Sequence, residues 1–447
     1  MNLSDKRYHV LFFVALSLLA YWFLGYLVPR ENFFLLFGFY SIAFISFYYL
    51  YNASSISEKE LFGYGVFFRG ILLFCLPFWS QDVYRFIWDG RVVYSGLSPY
   101  EFKPDAIIHS VHFFQSHELY EKMGSLSASH FSNYPPVNQF IFLIAALFAS
   151  KSIFLSVFIF KSILFFADIG IYHYGKKMMV ELGFSTKNIF LYFLNPLIIV
   201  ELVGNAHFEG VMLFLLVLGV YCFFTNKLMW SALFIALSIS TKLLPLLLLP
   251  FFYQKLGFKK SVVFYVFILL INYLLFLPFV SESLVQNYSQ TIALWFINFE
   301  FNASFYYVFR AIGYWFVGYN VIGVIGKIIP VFSVLILLYY ALFRNNVLPQ
   351  MFFKNALFGL LIYFLVSTTI HPWYIVNLLF LSMFTKYKFI LVWTLTVILS
   401  YFTYSQDSFQ ENMVLIFLEY TAFLGFLGYE IYRIKKAEKP FKQAESI

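Results

Sequence analysis

Asp82, Arg85, Asp89 and Arg91 fall inside DVYRFIWDGR (82–91), in a chain that is 62% hydrophobic and 12% charged. An aspartate beside a cavity can deprotonate a hydroxyl as general base. Arginine and lysine can hold a departing phosphate through charge-assisted hydrogen bonds. Further polar groups recur in short clusters: Tyr134 in NYPPVNQ (133–139), Asn205, His207 and Glu209 in GNAHFEG (204–210), and Lys242 in STKLLP (240–245). Asn302 follows in FNASFYY (301–307), and His371, Trp373 and Tyr374 in HPWY (371–374). Such side chains bind sugar hydroxyls and stack on sugar faces. As a set they suit transfer of a sugar from a lipid phosphate to an acceptor hydroxyl.

Taken singly, each cluster has a plainer reading. Asp82 and Arg85, three apart, can pair on a surface helix for a few tenths of a kcal/mol. GNAHFEG can be a polar turn, His371 a helix cap, and Asn302 part of an N-A-S glycosylation sequon. Lys161 and Asp168 read as a buried pair between helices, and Arg69 as a snorkelling side chain. His207 and Glu209, two apart, are a weak metal motif, so no cofactor is expected and a divalent metal is not favoured. No GxSxG, P-loop, HExxH or CxxC occurs. Cys75 and Cys222 lie in apolar runs, too few for a disulfide framework.

The elements that must carry these residues are membrane helices. Mean hydropathy is +0.78, and apolar runs near twenty residues recur, each long enough for a hydrocarbon core of roughly 30 Å. The fold class is an all-α polytopic membrane protein with 13–14 spans, some of them broken. The expected spans are 8–28, 33–51, 61–79, 134–150, 154–174, 188–203, 208–224, 230–252, 261–280, 321–343, 355–370, 372–385, 388–405 and 412–432. The first reads as a retained span rather than a signal peptide. The net charge of +8 sits in short turns and in the tail RIKKAEKPFKQ, which fits the positive-inside rule and gives no reason to expect nucleic acid.

Charge also orients the chain. Lys6 and Arg7 place the N-terminus inside, and the basic turn YQKLGFKK (253–260) inside as well. The two long polar interruptions, 80–133 and 281–320, then lie outside. Keeping KKMMVELGFSTK (176–187) inside requires 134–150 to be partly re-entrant, or 134–174 to make one net crossing. Lys242 at mid-bilayer costs about 3 kcal/mol unless it faces a cavity, so 230–252 is expected to be a broken hairpin. All the polar clusters then gather on the outer face. Ionisable groups gathered at a membrane cavity mark a functional site by default.

The run DVYRFIWDGRVVYSGLSPY, then YPP, NPLIIVELVGNAHFEG, STKLLPLLLLP, FNASFYYVFR and HPWY, in that order, resembles the bacterial mannosyltransferase-like members of the GT-C superfamily. These are integral-membrane enzymes that use polyprenyl-phosphate sugars. The resemblance covers residues 60–385. Spans within 8–60 precede that module, and 386–447 supply C-terminal spans and a basic tail, all in one membrane domain. It implies an active site at the outer face of the plasma membrane, under a first loop bearing short helices. It also implies Asp82 as general base with Asp89 as fallback, and Glu209 as a second acidic residue. Inversion at the anomeric carbon would follow, with a polyprenyl-phosphate donor, a sugar that the resemblance alone suggests to be mannose, and a lipid or glycan acceptor. A transporter or flippase of lipid-linked sugar, a polysaccharide polymerase or ligase, and a non-enzymatic scaffold are the competing classes. The first predicts inverted repeats, which the sequence lacks. The last gives no reason for Lys242 within the membrane.

Overall fold

The computed structural model describes residues 3–406 and 408–444, with side chains from Arg7 to Ala437 except 295–297 and 407. Lys6 and the basic tail beyond Ala437 therefore lie outside the described side chains. Among the described residues the chain is helical throughout, and its one β-bridge joins Phe301 to Thr369.

Every expected span contains helix, but several are broken or shorter than expected, and fewer cross on length alone than the 13–14 expected. Among the described residues seven helices are long and apolar enough, and the bent pair Thr186–Phe193 and Pro196–Gly204, kinked by 52°, makes an eighth. Five shorter apolar helices remain: Pro136–Ala149, Glu209–Phe224, Leu228–Ile239, Pro372–Ser382 and Phe389–Ser405. Each is cut short by proline or a polar break. Pro136–Ala149, with 14 residues, reaches only about 21 Å. The expected span 230–252 is broken as anticipated: helix Leu228–Ile239 ends, residues 240–243 turn, and a 3₁₀ stretch Leu244–Phe252 follows. Pro245 and Pro250 remove amide donors there, which suits the looser winding.

The first loop is folded rather than slack. It carries helix Asp82–Tyr94, here the lip helix, and short helices Pro104–Ile107, Ser116–Met123 and Ser125–Ala128. Its inner face, with Val83 and Phe86, joins Phe142, Phe160 and Phe208 in a second apolar core. Phe86 stacks on Phe142 at 4.9 Å between centroids and meets Phe208 edge-on at 5.4 Å. Gly90 permits this approach, because a Cβ there would lie 2.2 Å from the Phe142 carbonyl oxygen.

Two sequence expectations need correcting. Asp168 pairs not with Lys161 but with Arg69, at 2.7 Å, and also accepts from the Tyr192 hydroxyl at 2.6 Å. Arg69 is wholly buried instead of snorkelling, since its donors find the Gly65 and Phe193 carbonyls inside the protein. Lys161 donates to the carbonyls of Leu72 and Cys75, at 2.9 and 2.6 Å, just past the end of helix Glu58–Leu72. A cation there meets the negative end of the helix dipole.

Candidate active site

Local chain breaks build the site. The amide of Val137 and the side-chain amide of Asn138, at the start of helix Pro136–Ala149, donate to the carbonyls of Ser240 and Thr241 at 2.9 and 2.7 Å. These bonds satisfy the backbone of the broken hairpin and fix Lys242 beside the helix. Asn205 does the same for the chain leading into the lip helix. Its Oδ1 accepts from the Trp79 amide at 3.3 Å, and its Nδ2 donates to Glu201 at 3.2 Å.

A cavity of about 770 Å³ opens where these breaks meet. Of the sequence candidates, Asp82, Arg85, Tyr134 and Glu209 line it. Lys242, His371, Trp373 and Tyr374 complete the wall. Asp82 opens the lip helix, half-buried, with its amide on the Ser80 hydroxyl at 3.2 Å. Its carboxylate makes no hydrogen bond or ion pair among the described residues. An aspartate at a helix N-terminus meets the positive end of the helix dipole, and here its carboxylate is left free for a ligand.

Across the cavity Lys242 meets Glu209 at 2.8 Å, and its ammonium lies 5.5 Å from the centre of the Tyr134 ring. Tyr374 lines the same cavity as Glu209 and Asp82, and its hydroxyl feels the charges of both. Three rings stack in a pile beside them. His207 lies 3.7 Å from Trp373, and Trp373 lies 4.4 Å from His371 and within 3° of parallel. Desolvation, then the nearness of His207 and Lys242, pushes the His371 imidazole well below its usual range, so the ring is neutral. Its Nδ1 and Glu209 Oε2 are buried without a partner among the described residues. Buried polar atoms of that kind ask for a ligand that can hydrogen-bond, and sugar hydroxyls both donate and accept.

Five candidates lie outside the lining. Asp89 is fully buried behind the lip helix, bound by Arg85 at 2.6 Å, the Ser132 hydroxyl at 2.6 Å and Gln139 at 3.4 Å. Arg91 is buried and donates to the Phe114 carbonyl. Asn205 braces the chain as described, and His207 is buried with Nδ1 3.1 Å from Glu201. Asn302 is wholly buried with left-handed φ of 48°, and its amide donates to Glu419 at 3.0 Å. A glycan on Asn302 is incompatible with that burial.

The sequence reading missed several supports. Glu201 accepts from the Tyr401 hydroxyl at 2.7 Å and organises Asn205 and His207. Glu411 and Glu419 hold Asn302, so the last helix and the turn before it anchor the extended segment beside His371. For Glu201 and Glu419, a carboxylate within an apolar run was the available signal. Arg30 and Tyr404, which also line the cavity, were missed as well.

Residues 33–256, half of the chain, match the family described as alpha-(1->6)-mannopyranosyltransferase, N-terminal domain. The chain belongs to that family. It is therefore a multi-pass membrane glycosyltransferase of the GT-C mannosyltransferase type, and its reaction is mannosyl transfer from a sugar donor to a glycan or lipid acceptor. The matched segment takes in the lip helix, Tyr134, GNAHFEG and Lys242, whereas FNASFYYVFR and HPWY fall beyond it. No curated protein and no solved structure matches the chain.

Lys242→Met keeps the length and removes the charge. It is expected to weaken transfer roughly 10- to 100-fold, the usual range for a lost charge-assisted hydrogen bond. Donor KM should rise with it, as steady-state kinetics will register. Adding Glu209→Gln removes the stranded carboxylate. Recovery in that double variant would mean the lysine serves only the glutamate.

Proposed function

We propose that this mannosyltransferase takes its sugar from a polyprenyl monophosphate at the outer face of the plasma membrane and transfers it with inversion. The observation that carries the reading is the Asp82 carboxylate, without a partner among the described residues, in a cavity lined by both polar and apolar side chains. Leu244, Leu247, Pro330, Val334 and Phe364 are among the apolar ones, against which a prenyl tail would partition. Asp82 takes the proton of the acceptor hydroxyl as its oxygen attacks the anomeric carbon. The bond from that carbon to the phosphate oxygen breaks on the opposite face, and polyprenyl phosphate leaves. A β-linked donor then yields an α-linkage, in keeping with the family's α-(1->6) product.

Lys242 faces the donor phosphate, with Arg85 nearby, and Glu209, Tyr374 and His371 hold sugar hydroxyls. Among the described residues no three His, Cys, Asp or Glu side chains group as a metal site, and the proposed route uses protein cations instead. A nucleotide sugar would need a site for its base, and among the described residues there is no sheet from which an α/β nucleotide-binding unit could be built. Purified enzyme in detergent is therefore expected to transfer mannose from polyprenyl phosphate mannose and none from the nucleotide sugar, with products read by mass spectrometry. Turnover with the nucleotide sugar in preparations free of lipid donor would overturn the donor assignment.

A further inference from the structure

We infer that Arg30, in the turn between the first two spans, receives the phosphate as it departs. The inference rests on the polyprenyl-phosphate reading and names the cation that acts at the breaking bond. Among the described residues lining the cavity, the lysines and arginines are Arg30, Arg85 and Lys242. Two of these are already neutralised. Arg85 is bound to buried Asp89 and to the carbonyls of Ser127 and His130, and Lys242 to buried Glu209.

Arg30 is different. Its guanidinium lies 4.3 Å from the centre of the Tyr404 ring. Its polar contacts, to the Trp79 carbonyl, Gln81 Oε1 and Glu31, are all 3.4 Å, at the long limit of hydrogen bonding. Glu31 itself is 61% exposed, so water screens that pair. The side chain is thus aimed by stacking, with its donors loosely held and its charge unbalanced inside the cavity. A planar guanidinium on an aromatic face suits two-pronged binding of phosphate. Arg30 also stands near the base, since it contacts the Trp79 carbonyl and Gln81, the residue before Asp82.

The chemistry supplies a need for such a group. The donor is a phosphodiester with one negative charge. Cleavage of its glycosyl bond leaves a phosphate monoester that gains a second charge, while the acceptor proton passes to Asp82. A cation not already neutralised stabilises that new charge more in the transition state than in the ground state.

The test compares wild type with Arg30→Gln and Arg30→Lys, each checked for folding by thermal unfolding. Binding of polyprenyl phosphate is set against binding of polyprenol, which has the same tail and no phosphate. Arg30→Gln should weaken polyprenyl phosphate roughly 10- to 100-fold. Polyprenol binding should be unchanged, kcat should fall more than donor KM rises, and Arg30→Lys should recover part of the loss. A phosphate preference that survives in Arg30→Gln overturns the assignment alone. Equal loss of both ligands also overturns it, because Arg30 would then only brace the turn. A wild-type enzyme with no preference for the phosphate overturns the donor reading together with it.

Discussion

Asp82→Asn is expected to lower turnover roughly 10²- to 10⁴-fold while the enzyme stays folded and still binds donor. The substitution keeps the shape of the side chain and removes its basicity. Because the carboxylate makes no hydrogen bond or ion pair among the described residues, no internal partner is stranded by the change. What is lost from the fold is the favourable meeting of a negative charge with the start of the lip helix, about 0.3–1 kcal/mol. Donor affinity should persist, since the proposed route has the phosphate held by cations elsewhere in the cavity. Initial rates at saturating donor, beside a thermal unfolding curve, separate the two effects. A fully active Asp82→Asn enzyme would remove Asp82 from the chemistry. If Asp89→Asn were then inactive at unchanged stability, Asp89 would be the base.

The sequence made the broad architecture legible because its signals are strong and local. Long apolar runs have few alternatives in water, and a lysine at 242 inside one of them demanded a break, which is found at residues 240–243. The order of the polar clusters pointed to the family, and most of them meet at one cavity. What could not be read is how deeply each residue of a short helix is covered. Asp82 and Asp89 are seven apart, two turns along the same side of the lip helix, yet the first reaches the cavity and the second is covered by Ser132 and Gln139. That depth depends on packing of Phe86 against Phe142 and Phe208, contacts more than fifty residues distant in the chain. Asn302 looked like a surface residue because its partner, Glu419, lies on the last helix. Arg30 had a signal that went unused. With the N-terminus inside, VPREN lies outside, where the positive-inside rule disfavours an arginine.

Asp89→Ala should fail differently from Asp82→Asn. Arg85 and Asp89 are both almost fully enclosed, and their side chains touch at 2.6 Å. Removing one member strands the other as a buried charge, which costs about 3–5 kcal/mol, far more than such a pair contributes when intact. Here the Ser132 hydroxyl loses its acceptor too, and Gln139 loses one of its three. The variant should therefore unfold at markedly lower temperature or denaturant, and its lost activity should track the unfolded fraction. Replacing both charges, Arg85→Met with Asp89→Leu, removes the stranded cation and should regain much of the loss, though not what Ser132 and Gln139 forfeit. A double variant no more stable than Asp89→Ala would show that these hydroxyl and amide bonds, rather than the ion pair, secure the lip helix. An Asp89→Ala enzyme as stable as wild type and yet inactive would place Asp89 in the reaction. The contrast follows from position along one short helix: a carboxylate at its open end is exposed to chemistry, and one two turns further in is committed to holding the helix that presents it.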